Sequence, residues 1–418
     1  MLIKKLFDPD LHTSIDINLV KQLRYYKNEL QNELSAILSF WQQHTIDNSF
    51  GGFYGKLDNS NRIFPDAPKG SVLNSRILWA FSAAYNLTGY NTYLNTAWRA
   101  FEYISDYFID KVNGGVYWSV DYKGKPLDTK KQVYALSFAI YGLSEFYLAT
   151  KNERAKEAAI DLYHLIVKHS YDAINGGYIE ALSADWKEIA DLRLSEKDAN
   201  EKKSMNTHLH VLEGFTNLYR IWPHEELKSS IEELIHIFLD RIIDKNSHHL
   251  ILFFDEKWNV KSNIISYGHD IEAAWLIQEA AEIAGNADLL SRVKMRSVHV
   301  ANAAIEGLDK DGGLWYEFDA NENHLIKEKH SWPQAESMIG FFNAWQITGE
   351  ESFLKKSLES WQFIKSHILD TKNGEWFWGV KENYELINED KVGIWKCPYH
   401  NSRACIELIK RIDNTVDK

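Results

Sequence analysis

One turn signature returns along this chain at nearly constant spacing, and that repetition limits the possible folds more than any other feature. An Asp is followed four residues later by Gly-Gly and then by an aromatic or aliphatic run: Asp47 to GGFYG (51–55), Asp110 to GGVYW (114–118) and Asp172 to GGYIE (176–180). Asp309 precedes GGLWYEF (312–318) with one residue fewer, and Asp370 precedes GEWFWG (374–379), which keeps only the first glycine. The first glycines stand at 51, 114, 176, 312 and 374, giving gaps of 63, 62, 136 and 62 residues. The double gap holds one more version, Asp244 followed by His248-His249-Leu250-Ile251-Leu252, with His-His in the Gly-Gly place. Six units therefore fill the sequence.

Each unit carries two helix-length periodic segments. One set precedes the turns (20–44, 92–108, 153–169, 226–243, 288–306, 352–367) and is amphipathic; in 153–169, Ala158, Leu162, Leu165 and Ile166 form the apolar stripe. The other set follows the turns (71–88, 131–149, 205–221, 269–284, 333–347, 401–412) and is apolar nearly all round, as in VYALSFAIYGLSEFYLA (133–149), so it must be buried. Twelve helices of these two kinds predict an all-α fold, an (α/α)6 barrel of six helical hairpins in two concentric rings. An open solenoid would need polar capping repeats, whereas the last apolar segment resembles the interior ones. Short β-hairpins around the glycine turns, and the longer loops 182–203, 250–266, 318–331 and 379–399, are expected together at one end. The seven prolines all lie between these segments or at their edges, where they disturb no helix. A single catalytic domain over 26–418 is expected, preceded by an N-terminal extension over 1–25 with no assigned role.

Lys and Arg total 47 against 59 Asp and Glu, a formal charge of -12, which argues against a nucleic-acid or anionic-membrane partner. Two cysteines, Cys397 and Cys405, are too few for a disulfide framework or a metal knuckle and fit a reducing compartment. No stretch approaches the length of a membrane-spanning helix, and the opening MLIKKLFDPD lacks the apolar run of a leader. A cytoplasmic monomer acting on a small molecule is the expectation.

If the six inner helices run parallel, their first turns converge on one mouth. Those turns hold Arg76, Tyr134, Asn206 and His210, His269 and Glu272, Trp332 and Glu336, and, with the segment before the last helix, Trp395 and His400. Singly, Arg76 also reads as a buried ion pair, Asn206 as a helix cap and the tryptophans as packing. Jointly, polar groups at one end of otherwise apolar helices are hard to explain as core, because unpaired buried polar groups are costly. His269 and Glu272 share a helix face at i and i+3, so the carboxylate can orient the imidazole.

His248 and His249 stand where the turn glycines stand and read as turn residues, and His208 and His210, at i and i+2, lie on different faces. His210, His269, Glu272 and His400 could in principle surround an ion, but no HExxH-type spacing supports a metal, and no phosphate-loop context supports a nucleotide. No cofactor is expected. What remains is acid and base chemistry on a polar ligand among aromatic rings, for which a sugar is suited. Imidazoles from two helices, His269 and His400, can stand on opposite faces of a carbon beside a carbonyl, one removing its proton and the other returning one from the far side. Arg76 and His210 can hold the developing oxyanion.

The segments NSRILWAF, YALSFAIYG, NTHLHVLEGF, YGHDIEAAWLI, WPQAE and WKCPYHN resemble the cellobiose 2-epimerases of the N-acylglucosamine 2-epimerase superfamily, over roughly residues 30–412. The resemblance implies a barrel without metal or nucleotide that interconverts the C2 epimers of a reducing-end glucose or mannose unit through ring opening and a cis-enediol. It implies His269 and His400 as the acid/base pair and His210 with Arg76 around O1 and O2. Tyr134, Asp198, Asn206, Glu272 and Glu336 would hold sugar hydroxyls, and Trp332 and Trp395 would stack on sugar rings, Trp395 on a second unit. Mannose 2-epimerases share the His, Arg and Glu set, and aldose-ketose isomerases of the superfamily share the same enediol. An inverting glycoside hydrolase built on Glu272 and Glu336 is the remaining alternative, with a silent sugar-binding barrel behind it.

Overall fold

The computed structural model describes residues 17–416. Among them, six outer helices, α1 (Ile17–His44), α3 (Asn91–Tyr103), α5 (Glu153–His169), α7 (Glu225–Ile237), α9 (Ala287–Ala304) and α11 (Glu351–Phe363), alternate with six inner ones. The inner helices are α2 (Ser71–Thr88), α4 (Val133–Thr150), α6 (Met205–Tyr219), α8 (Tyr267–Ala284), α10 (Ser331–Thr348) and α12 (His400–Val416). Each inner helix packs on the next, and α12 packs back on α2, closing an (α/α)6 barrel. Of the expected extension, residues 1–16 lie outside the described residues, and 17–25 are the first turns of α1.

Hydrophobic patterning accounts for the two rings. In α4 every residue from Val133 to Phe146 is buried, because an apolar surface on all sides can be covered only by neighbours on all sides. In α5 the buried stripe is Ala155, Ala159, Leu162, Tyr163 and Ile166. Ala158 and Leu165, expected on that stripe, flank it half-buried, and the stripe takes in Tyr163 instead, whose ring packs on Phe215 and Trp222. Three outer helices end in a π-helical turn (Ile104–Phe108, Phe238–Ile242, Ile364–Ile368), which carries them to the expected boundaries.

In five of the six units the repeated Asp ties its turn to the chain that leads into the following inner helix. One carboxylate oxygen accepts the backbone N–H groups two and three residues on, as at Ser49 and Phe50 for Asp47 or Val112 and Asn113 for Asp110. The other oxygen takes a buried lysine. Lys69, Lys131 and Lys203, each two residues before an inner helix, reach Asp47, Asp110 and Asp172 at 2.7, 2.7 and 2.8 Å. Lys329 bridges Asp309 and Asp311 at 2.8 and 2.6 Å, and Lys391 meets Asp370 at 2.5 Å. Unit four has Ile265 at the lysine position. In four units the lysine stands two residues before the inner helix, at α2, α4, α6 and α10, so the pair anchors the turn to the chain entering that helix.

Two of the expected long loops carry more structure than their sequence suggests. Residues 317–319 form the centre of a three-stranded sheet with 264–266 and 324–326. Its register aligns Ile265, Phe318 and Leu325 on one face, packed against the core, and places Ile264, Glu317 and Ile326 on the other, facing the barrel mouth. Three-residue strands are too short for alternation to reveal.

The ring closes through the first helix. Trp361 Nε1 and Lys365 Nζ donate to Glu29 at 3.0 and 2.7 Å, Trp376 Nε1 donates to Glu33 at 2.8 Å, and Trp41 Nε1 donates to Glu375 at 2.7 Å. Lys27 pairs with Asp413, and Leu57 bridges Val392. No helix among the described residues is long and apolar enough to cross a membrane.

Candidate functional site

A cavity of about 870 Å³ opens where the inner helices start. Ten of the eleven residues singled out in the sequence line it: Arg76, Tyr134, Asp198, Asn206, His210, His269, Glu272, Trp332, Trp395 and His400. Asp198 comes from the loop before α6 and Trp395 from the segment before α12; the others sit in the first two turns of their helices. Glu336 is placed differently from its expected role as a sugar ligand. It lies fully buried beneath the cavity, and its oxygens accept from Trp275 Nε1, Arg403 Nη2 and His400 Nδ1 at 3.0, 2.6 and 2.7 Å.

Each of the three histidines is tied through Nδ1. His210 Nδ1 is 2.8 Å from Glu213 and His400 Nδ1 is 2.7 Å from Glu336, so both carboxylates take an N–H and leave Nε2 as the free nitrogen. His269 does not pair with Glu272 as its helical spacing suggested; its Nδ1 lies 2.8 Å from the Ser266 hydroxyl. A hydroxyl can donate or accept, so His269 can present either tautomer. Trp332 stands between the pair, with ring centroids 4.7 Å from His269 and 5.6 Å from His400.

Beneath them Arg403, fully buried, is the hub. It donates to Glu213, Glu272 and Glu336 and to the Tyr399 hydroxyl. One guanidinium facing three carboxylates leaves the floor rich in acid. Burial beside Glu336 raises Glu272 well above the ordinary carboxylate range, and burial raises Glu336. Burial pushes His269 down to about 3, and burial with the Arg76 and Arg403 charges holds His400 well below its usual value despite the adjoining Glu336. Burial therefore favours the neutral form of both imidazoles in the ligand-free cavity.

Arg76 is the opposite case. Its guanidinium is 3% exposed and packs over Phe138 and Tyr399, donating to the Tyr134 hydroxyl at 2.8 Å and approaching Cys397 Sγ at 3.9 Å. Among the described residues it has no carboxylate partner, so the buried ion-pair reading does not hold and its charge faces the cavity. The cap of α6 is Ser204, which accepts from Thr207 N at 3.0 Å, while the buried Oδ1 of Asn206 has no partner among the described residues. That leaves Asn206 as an acceptor for a ligand hydroxyl.

Glu272, Glu336 and His400 offer atoms within 4.8 Å of one another, close enough to hold a metal ion in principle. Arg403 Nη2, 2.6 Å from both carboxylates, already supplies the positive charge there. The same closeness is incompatible with an inverting hydrolase built on this pair, which needs carboxyl groups about 6.5–9.5 Å apart. His208 points away from the cavity, donating from Nδ1 to Ser204 O at 2.6 Å and accepting Tyr178 N at 2.9 Å.

The sequence reading missed Glu213, Ser266, Tyr399 and Arg403, which lie three residues from His210, three from His269, one from His400 and three from His400. The helical i, i+3 spacing was the available signal for Glu213 and Arg403. It also missed the rim. The fifth residue of each turn frame is Gly55, Trp118, Glu180, Leu252, Tyr316 or Trp378; Leu252, Tyr316 and Trp378 line the cavity, and Trp118 packs against Trp395 at 5.6 Å. Their shared fifth column in the repeat was the available signal.

Comparisons with known proteins bear on the family and the fold. The family described as N-acylglucosamine 2-epimerase (GlcNAc 2-epimerase) matches residues 52–404. A cellobiose 2-epimerase of Bacteroides fragilis is 49% identical over 385 residues, covering 92% of this chain and 98% of that protein. The structure of cellobiose 2-epimerase from Bacillus thermoamylovorans B4167 superposes with a TM-score of 0.90 at 39% identity, covering 93% of this chain and all of that one. A D-mannose isomerase of Marinomonas mediterranea is 22% identical over 401 residues, covering 92% of this chain and 98% of that protein.

Proposed function

The chain belongs to the N-acylglucosamine 2-epimerase family and is a carbohydrate epimerase, and from that premise we propose that it inverts C2 of the reducing-end unit of cellobiose-type β-1,4-disaccharides. The observation that carries the reading is the pairing of His269 and His400 across one cavity, with Trp332 between them and the uncompensated Arg76 beside them.

In the opened sugar, C2 carries a proton made acidic by the C1 carbonyl. His400, whose Nδ1–H is held by Glu336, presents the lone pair of Nε2 to take that proton. As the C2–H bond breaks, its electrons form the C1–C2 double bond of a cis-enediolate and negative charge collects on O1. Arg76 and His210 face that oxygen; a fixed buried cation is worth most where charge develops during the step. His269 acts in its protonated form, favoured by the enediolate charge beside it: with Nδ1–H donated to the Ser266 hydroxyl it delivers the Nε2 proton to the opposite face of C2 and is left a neutral imidazole. The reverse reaction exchanges the two roles. Asn206, Asp198, Tyr134 and Glu272 hold hydroxyls, and Trp395, backed by Trp118, takes the second sugar.

Incubation with cellobiose, glucose or mannose in D2O, followed by NMR at C2, tests this. Expected are the C2 epimer and solvent deuterium at C2; absence of both with all three sugars sinks the reading. A C2 epimer from the monosaccharides but none from cellobiose would identify a mannose-type epimerase, and a ketose as the main product would place the chain with the isomerases.

A further inference from the structure

The Gly-Gly pair is broken at two of the six turns, and these belong to the units whose inner helices carry His269 and His400. In the other four the second frame position is glycine for want of space. An added Cβ would lie 2.6 Å from Tyr103 at Gly52, 3.0 Å from Trp186 at Gly115, 2.6 Å from Trp258 at Gly177 and 2.8 Å from Lys329 at Gly313. In unit four the position is His249 and in unit six it is Glu375, both buried.

Each of these side chains reaches the residue that directly follows one of the two histidines. His249 Nδ1 lies 2.7 Å from Asp270 Oδ2, and Glu375 Oε1 accepts from Asn401 Nδ2 at 2.6 Å. Both are braced from elsewhere: His249 Nε2 lies 3.3 Å from Glu306, while Glu375 holds Lys396 and Trp41 at 2.7 Å each. Both turns also put a non-glycine residue in the left-handed region, His248 at φ 66° and Glu375 at φ 64°. That conformation is unfavourable for a residue with a Cβ and persists only where its surroundings enforce it.

We propose that His249 and Glu375 are positioning residues, each seating one histidine of the acid/base pair through its neighbour, Asp270 or Asn401. The inference rests on the epimerase reading above. Proton transfer at C2 demands that each Nε2 meet its own face of a small carbon centre, where a displacement of about 1 Å is enough to lower the rate roughly 100-fold. Nδ1 contacts set ring orientation, and the residue next in the chain sets where the ring is hung.

The two seats have separate signatures. From one epimer, one histidine removes the C2 proton and the other delivers to the far face. Unseating the delivering histidine lets the enediolate return to the starting sugar carrying solvent hydrogen; unseating the removing one does the same from the other epimer. In D2O, His249→Gly and Glu375→Gly, each the frame's own residue, should raise C2 deuterium in recovered sugar relative to epimer formed several-fold, from opposite starting epimers. His249→Gln and Glu375→Gln retain a hydrogen-bonding group and should return the ratio towards the parent's. Lys131→Met, which breaks a turn pair remote from both histidines, should lower the melting midpoint with the ratio unchanged. If the glycine variants lose exchange and inversion in parallel from both epimers, the proposal is wrong. Should they not fold, Asp270→Asn and Asn401→Ala read the same ratio, and an unshifted ratio there overturns it. No C2 deuterium with the parent protein would instead defeat the epimerase reading itself.

Discussion

Buried ion pairs occur in this protein in two settings. In the turns one Asp meets one Lys, as in Asp110 with Lys131, and the remaining oxygen is filled by backbone N–H groups. On the cavity floor one Arg meets three Glu, two of which also hold histidines. The first arrangement is balanced and inert. The second leaves acid in excess directly beneath the cavity, where Glu272 also lines it. Removing a partner from either costs stability, because a buried charge is left alone, but only the second should change chemistry.

His400→Asn attacks the floor at its reactive end. Turnover should fall by about 10⁴, the upper range for a positioned acid/base group, with an unchanged circular dichroism spectrum; near-parent rates would remove His400 from the mechanism. Arg403→Met should lower stability by about 3–5 kcal/mol in urea titration and turnover by at least about 100-fold, through displaced Glu213 and Glu336. Stability loss alone would make the floor no different from a turn. Lys131→Met sharpens the contrast from the other side: it should cost about 3 kcal/mol while kcat stays within about twofold, as for an independent distant site.

The two settings also respond to pH with opposite sign. Burial raises Asp110, but the Lys131 ammonium and the N–H groups of Asn113 and Val112 outweigh it and hold the carboxyl well below its usual range. Its contribution is present above the unfolded carboxylate pKa and is lost as pH falls. Glu272 is raised by burial and Glu336, so the folded protein holds a proton that the unfolded chain releases, and its contribution is lost as pH rises above the ordinary carboxylate range. Glu272→Gln should therefore gain on the parent in urea midpoint between pH 5 and 8. This is the smallest of the four effects, and a gap that shrinks with rising pH would mean that Glu272 is ionised.

Much of the barrel was legible because a closed repeat writes the same instruction six times. The 71–88 and 153–169 segments match α2 and α5 end to end, since glycine turns and amphipathic periods bound them. The convergence of Arg76, His210, His269 and His400 followed from the parallel inner ring alone. Arg403 did not, because in NSRACIEL it reads as one polar residue inside an apolar helix, and its three glutamates come from α6, α8 and α10. Glu336 was legible as polar and near the mouth, but its burial depends on Trp275 and Arg403, which both donate to it. The short strands at 264–266 and 317–319 escaped because their pairing is set by chain segments more than fifty residues apart.

The docking of α1 against the last units has a consequence in time. Glu29 and its partner Trp361 are 332 residues apart, so during synthesis at about 5–20 residues per second roughly 15 to 70 s separate their appearance. Throughout that interval the stripe of α1 bearing Leu23, Leu30, Ile37 and Trp41 has none of its final cover from α11 and α12. The last helix to arrive also begins with His400. Closing the ring and completing the cavity wall are thus a single late event, and a nascent chain that stops short of α12 lacks both its seal and His400.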